Sequence, residues 1–449
     1  MQESRKSRNF NLALLIFLPI LIASFYPSKT ALEGDQRVYN DISEKTNNWG
    51  FLTTFLYGEW PDFFGQWRFT LILFQLFISV FGFALLTFDC KPRTLKSRLA
   101  YATLYFMSCM YSIQLTRDSS LYAFTLFGLG LLHISFRKLA PLTLIARVSA
   151  LIIIFVASMF KLVLSLALIP IIFWIIWQNK EMIFRIKKIY VAVFVILYSA
   201  GPYLTNSYLI ESSKMQNVYP EQQPILLDLS MNYCWGQSES IRTSTKIALR
   251  KVIKPGYPIE SICSATNPLR WDDLHDDPKV WQYSSPVIRI IGDEDTLMKN
   301  LISDWISIIA KHPFDWLQVR LLLVGPALFM SNSFVNNTNE KSEAEFKVTD
   351  ITWSSFMTFA NLLDKLRLTS IFFALFLSFL LLYLLLLRPS PGRNWYQGNL
   401  LFSLLVLKVA LALAILSFLA PNGRYVLTYV LLNFLLLYRA FNIDKTLKV

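Results

Sequence analysis

The chain has 449 residues, 54% of them hydrophobic and only 16% charged, with a formal net charge of +13. A soluble domain usually carries about 25% charged residues, so the composition points to a lipid-embedded chain. The basic excess lies in short loops beside apolar runs, which excludes nucleic acid as the partner.

Roughly 17–25 apolar residues cross a bilayer as a helix. In chain order, such runs are predicted at Phe10–Tyr26, Phe69–Phe88, Leu99–Thr116 and Leu121–Phe136. The stretch from Val148 to Trp177 is too long for one span and breaks at Ser158-Met159-Phe160-Lys161 into two short helices. Ile189–Tyr203, Ile371–Leu387, Leu400–Leu419 and Tyr425–Tyr438 complete an all-α integral membrane fold of about ten spans. The first run follows "RKSR" and lacks a small-residue cleavage site, so it reads as a retained signal anchor.

Basic loops are retained on the cytoplasmic side. With residues 1–9 inside, 89–98, 137–147, 178–188, 388–398 and 439–449 also fall inside. The expectation is a multi-pass protein of the plasma (inner) membrane with both termini cytoplasmic. That parity leaves Leu317–Met330 as an interfacial or re-entrant segment.

Three regions follow: an N-terminal bundle over 1–203, a large external region over 204–368, and C-terminal helices over 369–449. The first external loop, 27–67, is acidic, with Glu33, Asp35, Asp41, Glu44, Glu59 and Asp62 against Lys29, Arg37 and Lys45. In the second, "NLISDWISIIAKHPFDWLQVRLLL" has helical apolar spacing from Leu301 to Ile309, a His-Pro break, and a second helical start. Trp305 and Trp316 flank the break, a pattern of helices lying in an interface plane. Cys234 and Cys263 share this region, where a disulfide is chemically permitted and spacing alone leaves the pairing open.

No phosphate-binding loop, dinucleotide fingerprint, H-E-x-x-H, C-x-x-C or G-x-S-x-G occurs in the sequence. "WDDLHDDP" at 271–278 and "DED" at 293–295 carry hard-cation ligands, but they read as solvated acidic loops. No metal and no cofactor are assigned. What remains is charge where charge is costly: Arg117-Asp118, Lys161, Arg320 and Arg424, all level with Asp35 on the external side of the expected topology. Each has a plainer role open to it. Arg117-Asp118 suits a helix-end pair, Lys161 a snorkelling lysine, and Arg320 and Arg424 lipid headgroups.

The order of these features resembles the GT-C class of membrane glycosyltransferases. The resemblance rests on "EGDQRVYNDI" (33–42), "TRDSSLYAFTLFGLGLL" (116–132), "FKLVLSLALIP" (160–170), "W…IIAKHPFDWLQVR" (305–320) and "NGRYVLTYVLL" (422–432). It implies a polyprenyl-phosphate-linked sugar as donor, a glycan, lipid or protein acceptor in the cell envelope, and work at a lipid bilayer. A phosphate leaving group is stable as an anion, so one carboxylate base suffices and cations stabilise the departing phosphate. Asp35 is the first expected base and Asp118 the second. Lys161, Arg320, Arg424 and Arg117 are expected at the phosphate, with Tyr39 and His312 as further substrate contacts. Two other readings stay open: a polysaccharide polymerase or ligase of the O-antigen type, and a lipid or sugar transporter.

Overall fold

The computed structural model describes residues 67–90, 94–112, 117–135, 142–160, 188–213, 222–253, 256–266, 295–329 and 424–442, plus a few isolated positions. The expected spans at Phe10–Tyr26, Ile371–Leu387 and Leu400–Leu419 lie outside the described residues or nearly so, as does the second half of Val148–Trp177.

The described chain is helical. A first group comprises α1 (Trp67–Thr87), α2 (Leu95–Ser112), α3 (Arg117–Ser135), α4 (Leu142–Met159), α5 (Lys188–Ser212) and the late α11 (Arg424–Asn442). Here α3 is central: it packs on α1, α2, α4 and α11, while α5 packs on α4. The apolar break read at Ser158–Lys161 marks the end of α4. By contrast, α5 continues past the expected boundary at 203/204 through Gly201-Pro202.

The α1–α3 contact is a close crossing. A Cβ on Gly82 would lie 2.5 Å from the Phe127 backbone nitrogen, and one on Gly130 would lie 2.8 Å from the Gly82 carbonyl oxygen. Backbone meets backbone, so no flexible side chain is available to yield. Gly82→Ala is expected to lower stability by about 1–3 kcal/mol, the usual range for overpacking, despite alanine's better helix propensity. A melting temperature equal to the parent's would show that the helices separate without strain.

A second group comprises α6 (Gln222–Trp235), α7 (Glu239–Arg250), a 3-10 turn at Ile259–Ser261, α8 (Ile262–Ala265), α9 (Asp295–Lys311) and α10 (Pro313–Phe329). Its core joins Leu226 and Leu229 of α6 to Ile241 and Leu249 of α7, Ile262 of α8, and Met298, Leu301 and Ile308 of α9. Ser238 caps α7, its hydroxyl accepting from the Ile241 amide at 3.4 Å. Cys234 and Cys263 are joined by a disulfide across 29 residues of chain. On the loop-entropy account, a cross-link of that span contributes ~3–4 kcal/mol by restricting the unfolded chain. Part of the expected external loop is therefore a packed helical module with its own core.

Among the described residues no helix is long and apolar enough to cross a membrane. This overturns the expected fold of about ten spans and the multi-pass inner-membrane placement with it. Runs that read as apolar in sequence carry polar groups that the fold buries: Gln75 and Ser79 in α1, Ser108 and Ser112 in α2, Asp118, Ser119, Ser120 and His133 in α3, and Asn433 and Arg439 in α11. Hydropathy averages over such positions, whereas the folded helices turn them toward one another.

Candidate functional site

A buried polar cluster of the first helix group surrounds the N-terminus of α3. Asp118 stands in the first turn, where a carboxylate is stabilised by the helix dipole, and it is 2% exposed. Gln75 of α1 fastens that turn from the side. Its Nε2 donates to the Ser112 carbonyl at 2.7 Å and to Ser119 Oγ at 2.9 Å, while its Oε1 accepts from Ser120 Oγ at 2.9 Å. From α11, Thr428 Oγ1 donates to the Asp118 carbonyl at 3.2 Å. Tyr111 OH lies 3.1 Å from Thr428 Oγ1, and with that proton committed to Asp118 the phenol is the donor.

The same network reaches deeper into the bundle. Tyr122 OH donates to Ser108 Oγ at 2.9 Å, and Ser108 lies 3.3 Å from Ser79 Oγ. Burial, with the negative charge of Asp118 adding to it, pushes the Tyr429 phenol well above its ordinary value and keeps it protonated. An amide and several hydroxyls from α1, α2, α3 and α11 thus converge in the buried interior beside Asp118. Such groups recognise hydroxyl-rich ligands by hydrogen bonding, and the carboxylate is the one base among the residues just named.

Arg117 precedes Asp118 on α3, and Arg424 begins α11 one turn before Thr428. The structure describes their backbone only. The positions of Asp35, Tyr39 and Lys161 lie outside the described residues, so the expected meeting of Asp35 with the cations is not part of the described site.

Arg320, expected at the substrate phosphate, lies in the second helix group and contacts the module. It is 1% exposed and its Nη2 donates to Asp228 Oδ1 of α6. Two indoles complete the clasp: Trp305 Nε1 donates to Asp228 Oδ2 at 2.6 Å and Trp316 Nε1 at 2.9 Å. Asn232 Nδ2 adds a contact to Oδ1 at 3.2 Å, and the Arg320 guanidinium carbon sits 5.7 Å from the Trp316 ring centre. The two tryptophans read as interface anchors instead hold a buried carboxylate.

His312 stands at the α9–α10 junction, its Nε2 3.5 Å from Ser240 Oγ. Nearby Ser238 Oγ donates to Asp315 Oδ2 at 2.5 Å. This contact closes α7 onto α10 and belongs to the module, not to the Asp118 cluster. The "WDDLHDDP" stretch lies outside the described residues, and among those described no group of His, Cys, Asp or Glu has a metal-holding arrangement.

A third buried cluster ties the other end of the first group together. Arg439 of α11 donates through Nη2 to Asp89 Oδ2 at 3.2 Å and through Nε to Oδ1 at 3.4 Å. The same Nη2 lies 2.7 Å from His133 Nδ1, and His133 Nε2 lies 3.4 Å from Asp89 Oδ2. Arginine only donates, so the fitting tautomer has Nδ1 accepting from Arg439 and Nε2–H directed at Asp89.

Sequence reasoning missed Gln75, Asp228 and the Asp89–Arg439 pair. Gln75, Asp228 and Arg439 had one available signal: a charged or amide residue inside an apolar run, as in "LILFQLFI", "ILLDLSM" and "LLLYRAF". No known protein family, curated protein or solved structure matches the chain.

Proposed function

We propose that the chain is a glycosyltransferase that takes a sugar from a polyprenyl-phosphate donor, with Asp118 as its base. The observation that carries the reading is Asp118 itself: a buried carboxylate in the first turn of a helix whose start is tied down by Gln75 and Thr428, with its charge felt at the Tyr429 phenol. Asp118 takes the proton of an acceptor hydroxyl as its oxygen bonds to the anomeric carbon. The bond from that carbon to the phosphate oxygen breaks, and the phosphate leaves with the electron pair. Arg117 and Arg424, each in the chain next to or one turn from a residue of the cluster, are the cations assigned to that leaving charge. The large apolar side chains exposed on the first helix group, among them Phe77, Phe81, Leu144 and Ile196, suit an isoprenoid tail.

The test supplies full-length protein with a radiolabelled polyprenyl-phosphate sugar and a hydroxyl acceptor. Asp118→Asn is expected to lower kcat by about 10²–10⁴-fold, the usual worth of a positioned base, with an unchanged melting curve. A variant that transfers sugar at the parent rate removes Asp118 from the chemistry. A parent chain that transfers none under any donor removes the reading itself.

A further inference from the structure

The clasp on Asp228 fixes which way α10 faces. Val319 and Arg320 point inward, each 1% exposed, and Trp316 is held by its indole to Asp228. The helix cannot roll without breaking those bonds, so its other side stays outward. That side is apolar: Phe314 is 80% exposed, Leu317 38%, Leu321 50% and Leu322 60%. Positions 314, 317 and 321 follow the three-and-four spacing of one helical stripe, and 322 lies beside it. From Phe314 to Leu322 the stripe runs about 12 Å along the axis.

We propose that this stripe is a docking surface for a lipid headgroup–acyl boundary, on which α10 lies flat. Three features select lipid over a protein partner. Among the described side chains, the exposed α10 positions after Pro313 offer one polar group, Gln318, and no charge, so nothing described on the stripe specifies a partner's polar groups. The one acid of the first turn, Asp315, is only partly exposed and accepts from Ser238. At the stripe's N-terminal edge Lys311 is exposed, and the chain as a whole carries +13, both favourable to an anionic headgroup layer. An aromatic followed by leucines inserts to the depth of the acyl boundary while the lysine stays at headgroup level. The proposal deepens the reading above only by placing the chain where a lipid-linked donor resides.

The test reads position, not activity. Cys90 and Cys109 are buried and Cys234 and Cys263 are bonded, so a cysteine introduced at an exposed site is the accessible thiol among the described residues. Full-length Phe314→Cys is labelled with an environment-sensitive nitrobenzoxadiazole dye, and Thr243→Cys on the exposed side of α7 serves as reference. Vesicles of phosphatidylglycerol and phosphatidylcholine are expected to shift the emission of the 314 label to the blue and raise it severalfold, leaving the 243 label unchanged. A smaller shift with pure phosphatidylcholine is expected, from loss of the headgroup attraction. No shift at 314, or an equal shift at both sites, overturns the proposal. A shift at 314 that follows protein concentration without vesicles overturns it in favour of a second copy of the chain. None of these outcomes depends on sugar transfer, so the proposed function stands or falls separately.

Discussion

Replacing Asp228 with alanine is expected to lower the stability of the α6–α10 module by about 3–5 kcal/mol, the range for removing one partner of a buried ion pair. The carboxylate is fully buried and accepts from Trp305, Trp316, Asn232 and Arg320. Burial pushes the Arg320 guanidinium below its ordinary pKa, and Asp228 opposes that shift through charge and hydrogen bonding. Without Asp228 the guanidinium stays in a dry site and both indoles lose their acceptor. Asp228→Asn keeps an acceptor for one indole but not the charge, so its loss is expected to be intermediate. Asp228→Leu combined with Arg320→Met is expected to recover much of the stability, because neither buried charge remains. Hydrogen exchange of the α6 amides measures this directly. An alanine variant whose α6 amides exchange as slowly as the parent's would show that the clasp contributes nothing.

The same residues mark where sequence reading reached its limit. The helix positions were legible: Phe69–Phe88 anticipates α1, Leu121–Phe136 anticipates α3, and the His-Pro break falls between α9 and α10. Periodicity and breakers are local, so one stretch of chain is enough to read them. Arg320 was legible as a residue of unusual cost but not as a partner. Its carboxylate lies 92 positions away in "ILLDLSM", a distance over which no local rule connects two residues. Asp118 was legible because it begins a helix and sits beside Arg117. Gln75, which fastens that helix start, was hidden within an apolar run. The expected membrane topology failed for a related reason. Runs of hydropathy carry no trace of the way α1, α2, α3 and α11 match their polar positions across contacts.

Asp118 and Arg320 therefore sit in different helix groups despite similar sequence contexts. Arg320 is in contact with its counter-charge and works as a structural pin. Asp118 is buried beside the Gln75–Ser119–Ser120 network, and its main-chain carbonyl accepts from Thr428. Both are 2% exposed or less.

Arg439→Met is expected to destabilise the first helix group by about 3–5 kcal/mol near neutral pH, and by less as the solution is acidified. Burial alone would raise the Asp89 pKa. The His133 hydrogen bond and the charge and hydrogen bonds of Arg439 outweigh it and hold the carboxyl well below the usual range. A depressed carboxylate contributes stability that is fully present above its unfolded value of about 3.9 and is lost as pH falls toward its folded value. The parent therefore loses this contribution below about pH 4. Without Arg439 the Asp89 carboxyl returns toward its ordinary pKa, less remains to be lost, and the two stability curves converge in acid. Arg439→Lys keeps the charge but loses the fork that spans Asp89 and His133, so it is expected to fall between the two. Denaturant titrations of all three proteins from pH 3 to pH 8 read the effect. A gap between parent and methionine variant that stays constant down the acid limb would mean that Asp89 is not the charge Arg439 serves, and that the cluster joins α3 and α11 by packing alone.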